Sequence, residues 1–259
     1  MALKRQKVNI LGIEVDDISF PKAVDQILRL AEPEERGNYV VTVNSEFVML
    51  ARKSPGFLRI LSKANLALPD GSGVVISKLI FGGREQSRIT GVDMIQELCA
   101  KSAKRTIRVG FLGGFGHVAE IAAKRQKEKN PRLKIVFAGP GDEAIGSNLR
   151  LKKLFDKIGR VDILFVAYGM GRQEFLIDRM RKKLNVGVFI GVGGAFDLLA
   201  NVKRRAPRFA QNLGLEWLWR LLLEPTRLWR MRVLPIFAIL VFGQVYRRFF
   251  RNLLKNPIF

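Results

Sequence analysis

Asp70 lies in LPDGSGV, residues 68–74, between a β-rich run and a glycine turn, so its carboxylate can face a cleft beyond a strand's C-terminal end. The plainer reading is that such an aspartate only caps its turn. Thr42 and Asn44, in VVTVNSEF, end another apolar run, and neighbouring strand ends in an α/β sheet converge on a ligand crevice. Asn44 can equally serve as the cap of the helix that follows. Two further stretches, YGMGRQEF and FIGVGGAFDLLANVKRRAP, each follow a strand-like run with glycines and then a helix-like run. Such turns offer backbone N–H groups to a phosphate, although turn glycines are also common without any ligand.

Other chemistries lack material. Gly114, Gly116 and Ala119 have dinucleotide-site spacing, but the acidic residue expected about 20 positions onward is absent from residues 134–138, and Asp142 comes late. A glycine turn with close helix packing is the default there. His117 is the sole histidine, which leaves little for a histidine metal cluster or a Ser-His-Asp triad, and it reads as a helix-start residue. Cys99, the sole cysteine, falls in the apolar pattern of VDMIQELCA and reads as a buried helix position. No Asp-x-Asp triplet occurs, and Asp16 with Asp17 is adjacent and poorly placed to hold a metal. No cofactor and no metal ligand set is expected.

The elements that must position these residues alternate along the chain. β-rich runs at 39–43, 108–112, 134–138, 162–166 and 186–190 are separated by longer amphipathic stretches, which predicts an α/β fold with a largely parallel sheet. Ser19 before Pro21 and Thr90 before Val92 mark helix starts, and residues 32–38 and 139–148 read as loops. The N-terminus lacks the apolar core of about 7–15 residues that a signal peptide needs.

The net charge of +22 asks for an anionic partner: nucleic acid, acidic lipid or a phosphorylated substrate. Residues 201–259 hold twelve Lys or Arg against Glu216 and Glu224, which places a boundary near 201. This tail also carries Trp217, Trp219, Trp229 and an uncharged run at 233–246 that ends at Arg247 and Arg248. The run is shorter than the roughly 20 residues that span a bilayer, and its composition suits the interface, so attachment without spanning is expected. The alternatives are a buried helix or an oligomer contact.

TVNSEF, LPDGSGV, GMGRQEF, GVGGAFDLLA and RAPRFAQNLGLEWLWRLLLEPTRLWR occur in an order and at distances that resemble the WecG/TagA/CpsF family, over roughly residues 8–232. The resemblance implies a Rossmann-like α/β domain over 1–200, mainly parallel with flanking helices, and a basic helical appendage over 201–259. Within that appendage the resemblance implies an active-site lid at about 201–232; the longer apolar tail past Leu234 departs from the family, and its own residues predict a membrane-binding segment at about 233–259.

The activity implied is inverting, metal-independent transfer of N-acetylmannosamine, its uronic acid or glucose from a UDP-sugar. The implied acceptor is a polyprenyl-diphosphate-linked sugar at the cytoplasmic face of the bacterial membrane. Family roles fall on Asp70 as general base, on Thr42 and Asn44 in the donor pocket, on Arg88 near the sugar, on Gln173 as the substrate-binding glutamine of the G-x-x-x-Q-E segment, and on Asp197 near the nucleoside. Arg220, Arg227 and Arg230 match arginines that close over the site, where a guanidinium fork suits a diphosphate. Many relatives have a proline and lysine before the glutamine, and Arg172 keeps the positive charge there.

An anionic membrane surface is the expected partner, with room for a homo-oligomer and no nucleic acid. The rivals are a nucleotide-dependent oxidoreductase built on Gly114 and Gly116, and a basic nucleic-acid binder. The latter lacks any recognised basic-aromatic module.

Overall fold

The computed structural model describes residues 6–255 apart from 33, 35, 141–148, 150, 151, 154, 157 and 158. Parts of both expected loops, 32–38 and 139–148, therefore lie outside the described residues.

The described chain opens with an antiparallel hairpin, β1 (Lys7–Ile10) and β2 (Ile13–Asp16), turned by Leu11 and Gly12 at φ 51° and 94°. Positive φ at both central residues is what a two-residue hairpin demands. Sequence patterning missed this hairpin because each strand has only four residues.

Six strands then form one sheet: β3 (Asn38–Val43), β4 (Leu66–Pro69), β5 (Arg108–Gly113), β6 (Lys134–Gly139), β7 (Val161–Ala167) and β8 (Val186–Gly191). Their order is β4-β3-β8-β7-β5-β6, and every neighbouring pair is parallel. All five expected strand runs are present. Burial on both faces explains the near-continuous apolar sequences of β3, β5, β7 and β8, whereas β6, at the sheet edge, is only half-buried. In β7, Val161, Leu164 and Val166 enter one core while Ile163, Phe165 and Ala167 enter the other.

Helices α1 (Phe20–Leu30), α2 (Ser45–Lys53), α3 (Pro55–Ser62), α4 (Ser72–Ile80), α5 (Gly91–Arg105), α6 (Val118–Lys129), α7 (Arg172–Met180) and α8 (Ala195–Leu199) cover the sheet. The β1–β2 hairpin, α2, α3, α4 and α7 pack on one face, and α1, α5, α6 and α8 on the other. Thr90 caps α5, its Oγ1 accepting from Asp93 N at 3.2 Å, whereas Ser19 begins α1 without a side-chain bond. Cys99 is fully buried in α5, as its apolar surroundings require.

The tail is helical: α9 (Arg208–Asn212), α10 (Glu216–Leu223), a 3-10 turn (Pro225–Arg227), α11 (Leu228–Met231) and α12 (Val233–Lys255). One stripe of α12 returns to the α/β body, where Phe237 and Val241 join the core of α2 and α4. Gln244 clasps the hairpin, accepting from Leu11 N at 2.8 Å and donating to Asn9 O at 3.1 Å, and Arg248 donates to Phe81 O at 3.0 Å. The opposite stripe, with Ile236, Ile239, Phe242, Tyr246 and Phe249, is exposed. The stretch Pro225–Phe250 is long and apolar enough to cross a membrane.

Candidate active site

Because the strands are parallel, their C-terminal ends and the loops that follow them share one edge of the sheet. Asp70 follows β4, its N–H bonded to Val43 O at 2.8 Å, so the carboxyl stands just beyond the β3–β4 ladder. Gly71, at φ 90°, occupies the cap position of α4, so Asp70 is not used up as a helix cap. The side chain is only partly exposed, and burial pushes its pKa up to about 6. Arg220 and Arg88 oppose that rise, while Glu216 and Asp93 add to it.

Thr42 is buried at the end of β3 and donates from Oγ1 to Gly191 O of β8 at 3.3 Å. Asn44 does cap α2, its Oδ1 accepting from Phe47 N at 3.0 Å. Its Cβ nevertheless lies 3.6 Å from where a Cβ on Gly71 would sit, which places it against the Pro-Asp-Gly turn.

Arg88 sits in the irregular segment before α5, which Ile89 N pins to Pro69 O at 2.8 Å. Its Nη2 donates to Glu216 Oε2 at 3.0 Å, and Arg220 Nη2 donates to Glu216 Oε1 at 2.7 Å. Beside them Arg205 grips Asp93 with two 2.7 Å bonds. Asp70, Asp93, Glu216 and Arg88, Arg205, Arg220 thus form one cluster of alternating charge. Sequence reasoning missed Asp93, Arg205 and Glu216. The signals available were the Thr90-x-x-Asp93 capping pattern and the rarity of acids in the tail.

The remaining expected residues make their own contacts. Gln173 is buried, donating to Glu174 Oε1 at 2.6 Å and accepting from Gly193 N at 3.0 Å, so it ties the loop after β8 to α7. A Cβ on Gly191 would fall 2.7 Å from its Nε2 and 2.9 Å from Glu174 Oε1, so a larger residue there would displace this pair. Burial pushes the neighbouring Glu174 up to about 7. Asp197 pairs with Lys203 at 3.4 Å; Lys203 also reaches Glu224 at 3.0 Å, and Glu224 holds Arg227. Arg230 pairs with Glu46 on α2 at 2.7 Å.

Gly113 and Gly114 serve close packing. Gly114 N donates to Ala167 O at 2.8 Å, and a Cβ on Gly113 would fall 2.7 Å from that oxygen. His117 stands at the start of α6.

Residues 8–251 match the glycosyl transferase WecG/TagA/CpsF family. The chain belongs to that family. It is 35% identical over 210 residues, 80% of each chain, to a Bacillus spizizenii protein named N-acetylglucosaminyldiphosphoundecaprenol N-acetyl-beta-D-mannosaminyltransferase. Proteins of the same name from Bacillus subtilis and Staphylococcus aureus are 34% and 27% identical over 236 residues, covering 91% of each chain and 89–90% respectively. This WecG/TagA/CpsF member is therefore a glycosyltransferase. Its family match runs through α10, which carries Glu216 and Arg220, so the tail helices that complete the charge cluster lie within the matched region.

Proposed function

We propose that the protein moves N-acetylmannosamine from UDP to an N-acetylglucosaminyl-diphosphate polyprenol, with inversion and without a metal, in the assembly of a cell-wall polymer. The observation that carries this reading is the Asp70 carboxyl, raised to about 6 and faced by Arg88 and Arg220. A group with that pKa is mostly ionised at neutral pH yet basic enough to take a proton in the transition state.

In the proposed step, the acceptor hydroxyl oxygen attacks the anomeric carbon as its proton passes to Asp70. The bond to UDP breaks on the opposite face, and the departing electron pair stays on the diphosphate. Arg88 and Arg220 meet that charge through their planar forks, the task a divalent cation performs where one is bound. One carboxylate and one displacement give inversion. The identity of donor and acceptor follows the names of the Bacillus relatives.

Helices α9 to α11 act as the lid, since α10 brings the charge of Arg220 to bear on Asp70, and the exposed stripe of α12 lies on the membrane that holds the lipid acceptor. In this reading the enzyme works at the cytoplasmic face of that membrane.

The test is a panel of UDP-sugars against a short-chain N-acetylglucosaminyl-diphosphate lipid, with and without EDTA. UDP-N-acetylmannosamine should be the best donor, and EDTA should leave most of the activity. Preference for another sugar would reject the donor, and full loss restored by manganese would reject arginines in place of metal.

A further inference from the structure

Glu216 is out of character with its surroundings. In a tail of twelve Lys or Arg it is one of two acids, and it is buried beside a site suited to an anionic donor. Its two oxygens take one N–H each from Arg88, on the segment before α5, and from Arg220, one turn further along α10. A guanidinium carries five N–H donors, so engaging one from each arginine leaves most of both forks for phosphate oxygens.

The start of α10 is itself held at the Pro-Asp-Gly turn. Ser72 Oγ donates to Gly214 O at 3.1 Å. Gly214 has φ 72°, and a Cβ there would fall 2.9 Å from Ser72 Cβ, so the approach is as close as glycine allows.

We propose that Glu216 is a positioning residue for the transfer reaction, bracing Arg88 and Arg220 across the joint between the α/β body and the C-terminal helices so that both face Asp70 and the leaving diphosphate. Two neighbouring guanidinium groups repel each other, and a shared carboxylate between them removes the repulsion and fixes the distance. The inference rests on the glycosyl-transfer reading above.

The groups facing Asp70 are Arg88 before α5, Asp93 on α5 with its partner Arg205 from the segment before α9, and Glu216 and Arg220 on α10. Arg220 and Arg88 pull its pKa down more strongly than Glu216 pushes it up. If the brace is lost and the arginines move away, Asp70 should therefore become harder to ionise.

Glu216→Gln keeps the shape and removes the charge. Expected are a kcat lower by about tenfold or more, a donor KM raised a few-fold, and an acidic limb of the kcat–pH profile moved to higher pH. An acidic limb moved to lower pH would mean that Glu216 acts only as a nearby charge, and would overturn the proposal. Tighter UDP binding, showing that Glu216 competes with the diphosphate, or an unchanged kcat would overturn it as well.

Should Glu216→Gln fold poorly, the double variant with Arg88→Gln relieves the unpaired charge. Its loss should be smaller than the two single losses combined, since part of each acts through the shared Arg88–Glu216 contact, and simple additivity of the two losses would reject the brace. Wild-type protein that transfers from no UDP-sugar would overturn the functional reading and the brace together. An active wild type beside an indifferent variant overturns the brace alone.

Discussion

At the scale of single residues, Asp70 combines two consequences of one environment. Burial raises its pKa to about 6, which suits a base and also destabilises the folded protein when the group is charged. A carboxyl whose folded pKa lies above its unfolded value of 3.8 contributes stability below that lower value, and loses it as pH rises through about 6. Asp70→Asn should then match wild type in stability at pH 3 and exceed it at pH 8 by on the order of 2 kcal/mol, read by denaturant unfolding at both pH values. The same variant should lose about 10²-fold or more in turnover while keeping UDP affinity. Turnover near normal would remove Asp70 from its role as base. Asn44 shows the limit of reading residues one at a time: it caps α2, as its local sequence allowed, and also abuts the turn that holds Asp70.

At the scale of elements, the segment that carries Arg88 is set by a buried ion pair. Lys78 of α4 is fully buried and meets Asp17 at 2.8 Å, and Asp17 also accepts from Arg84 N at 2.7 Å and Glu85 N at 3.1 Å. Gly83 lies so close that a Cβ there would fall 2.8 Å from Lys78 Cγ. Lys78→Met removes one partner and leaves a buried carboxylate, which should cost about 3 kcal/mol of stability in chemical denaturation. Because Asp17 anchors the start of the Arg88 segment, the donor KM should rise as well, and a stable variant with normal KM would detach this pair from the site. The adjacent Asp16 and Asp17, unpromising as metal ligands, thus have structural work: Asp16 accepts from Ala67 N at 2.7 Å, tying the hairpin to β4.

At the scale of the whole molecule, α12 carries two apolar stripes, one packed into the core and one exposed. Deleting it would strip Phe237 and Val241 from the core, so truncation mixes folding with membrane attachment. Ile239→Glu with Phe242→Glu alters only the exposed stripe, where both residues are 69% exposed. This variant should leave anionic vesicles in a sedimentation assay, since burying acidic groups at the interface opposes the roughly 1 kcal/mol that each basic residue contributes there. Its thermal midpoint and its activity on a short-chain soluble acceptor should stay at wild-type levels. Retention on vesicles would move the membrane contact elsewhere on this basic surface.

What the amino-acid sequence determined by itself is whatever depends on neighbours along the chain. The apolar runs of β3 and β5 to β8, the strand-then-glycine turns after them, the helix starts at Ser19 and Thr90, and the buried Cys99 all follow from local pattern and backbone preference. The position of Asp70 beyond a strand end was legible for the same reason, and family resemblance supplied the role proposed for it. The pairing of Arg88 with Glu216, 128 residues apart, was not legible, because it exists only where the tail crosses the sheet edge. The two stripes of α12 were hidden too, since an apolar residue that enters a core and one that stays exposed look alike in sequence. Only the tertiary structure decided between them, by placing Phe237 and Val241 against α2 and α4 and leaving Ile239 and Phe242 outside.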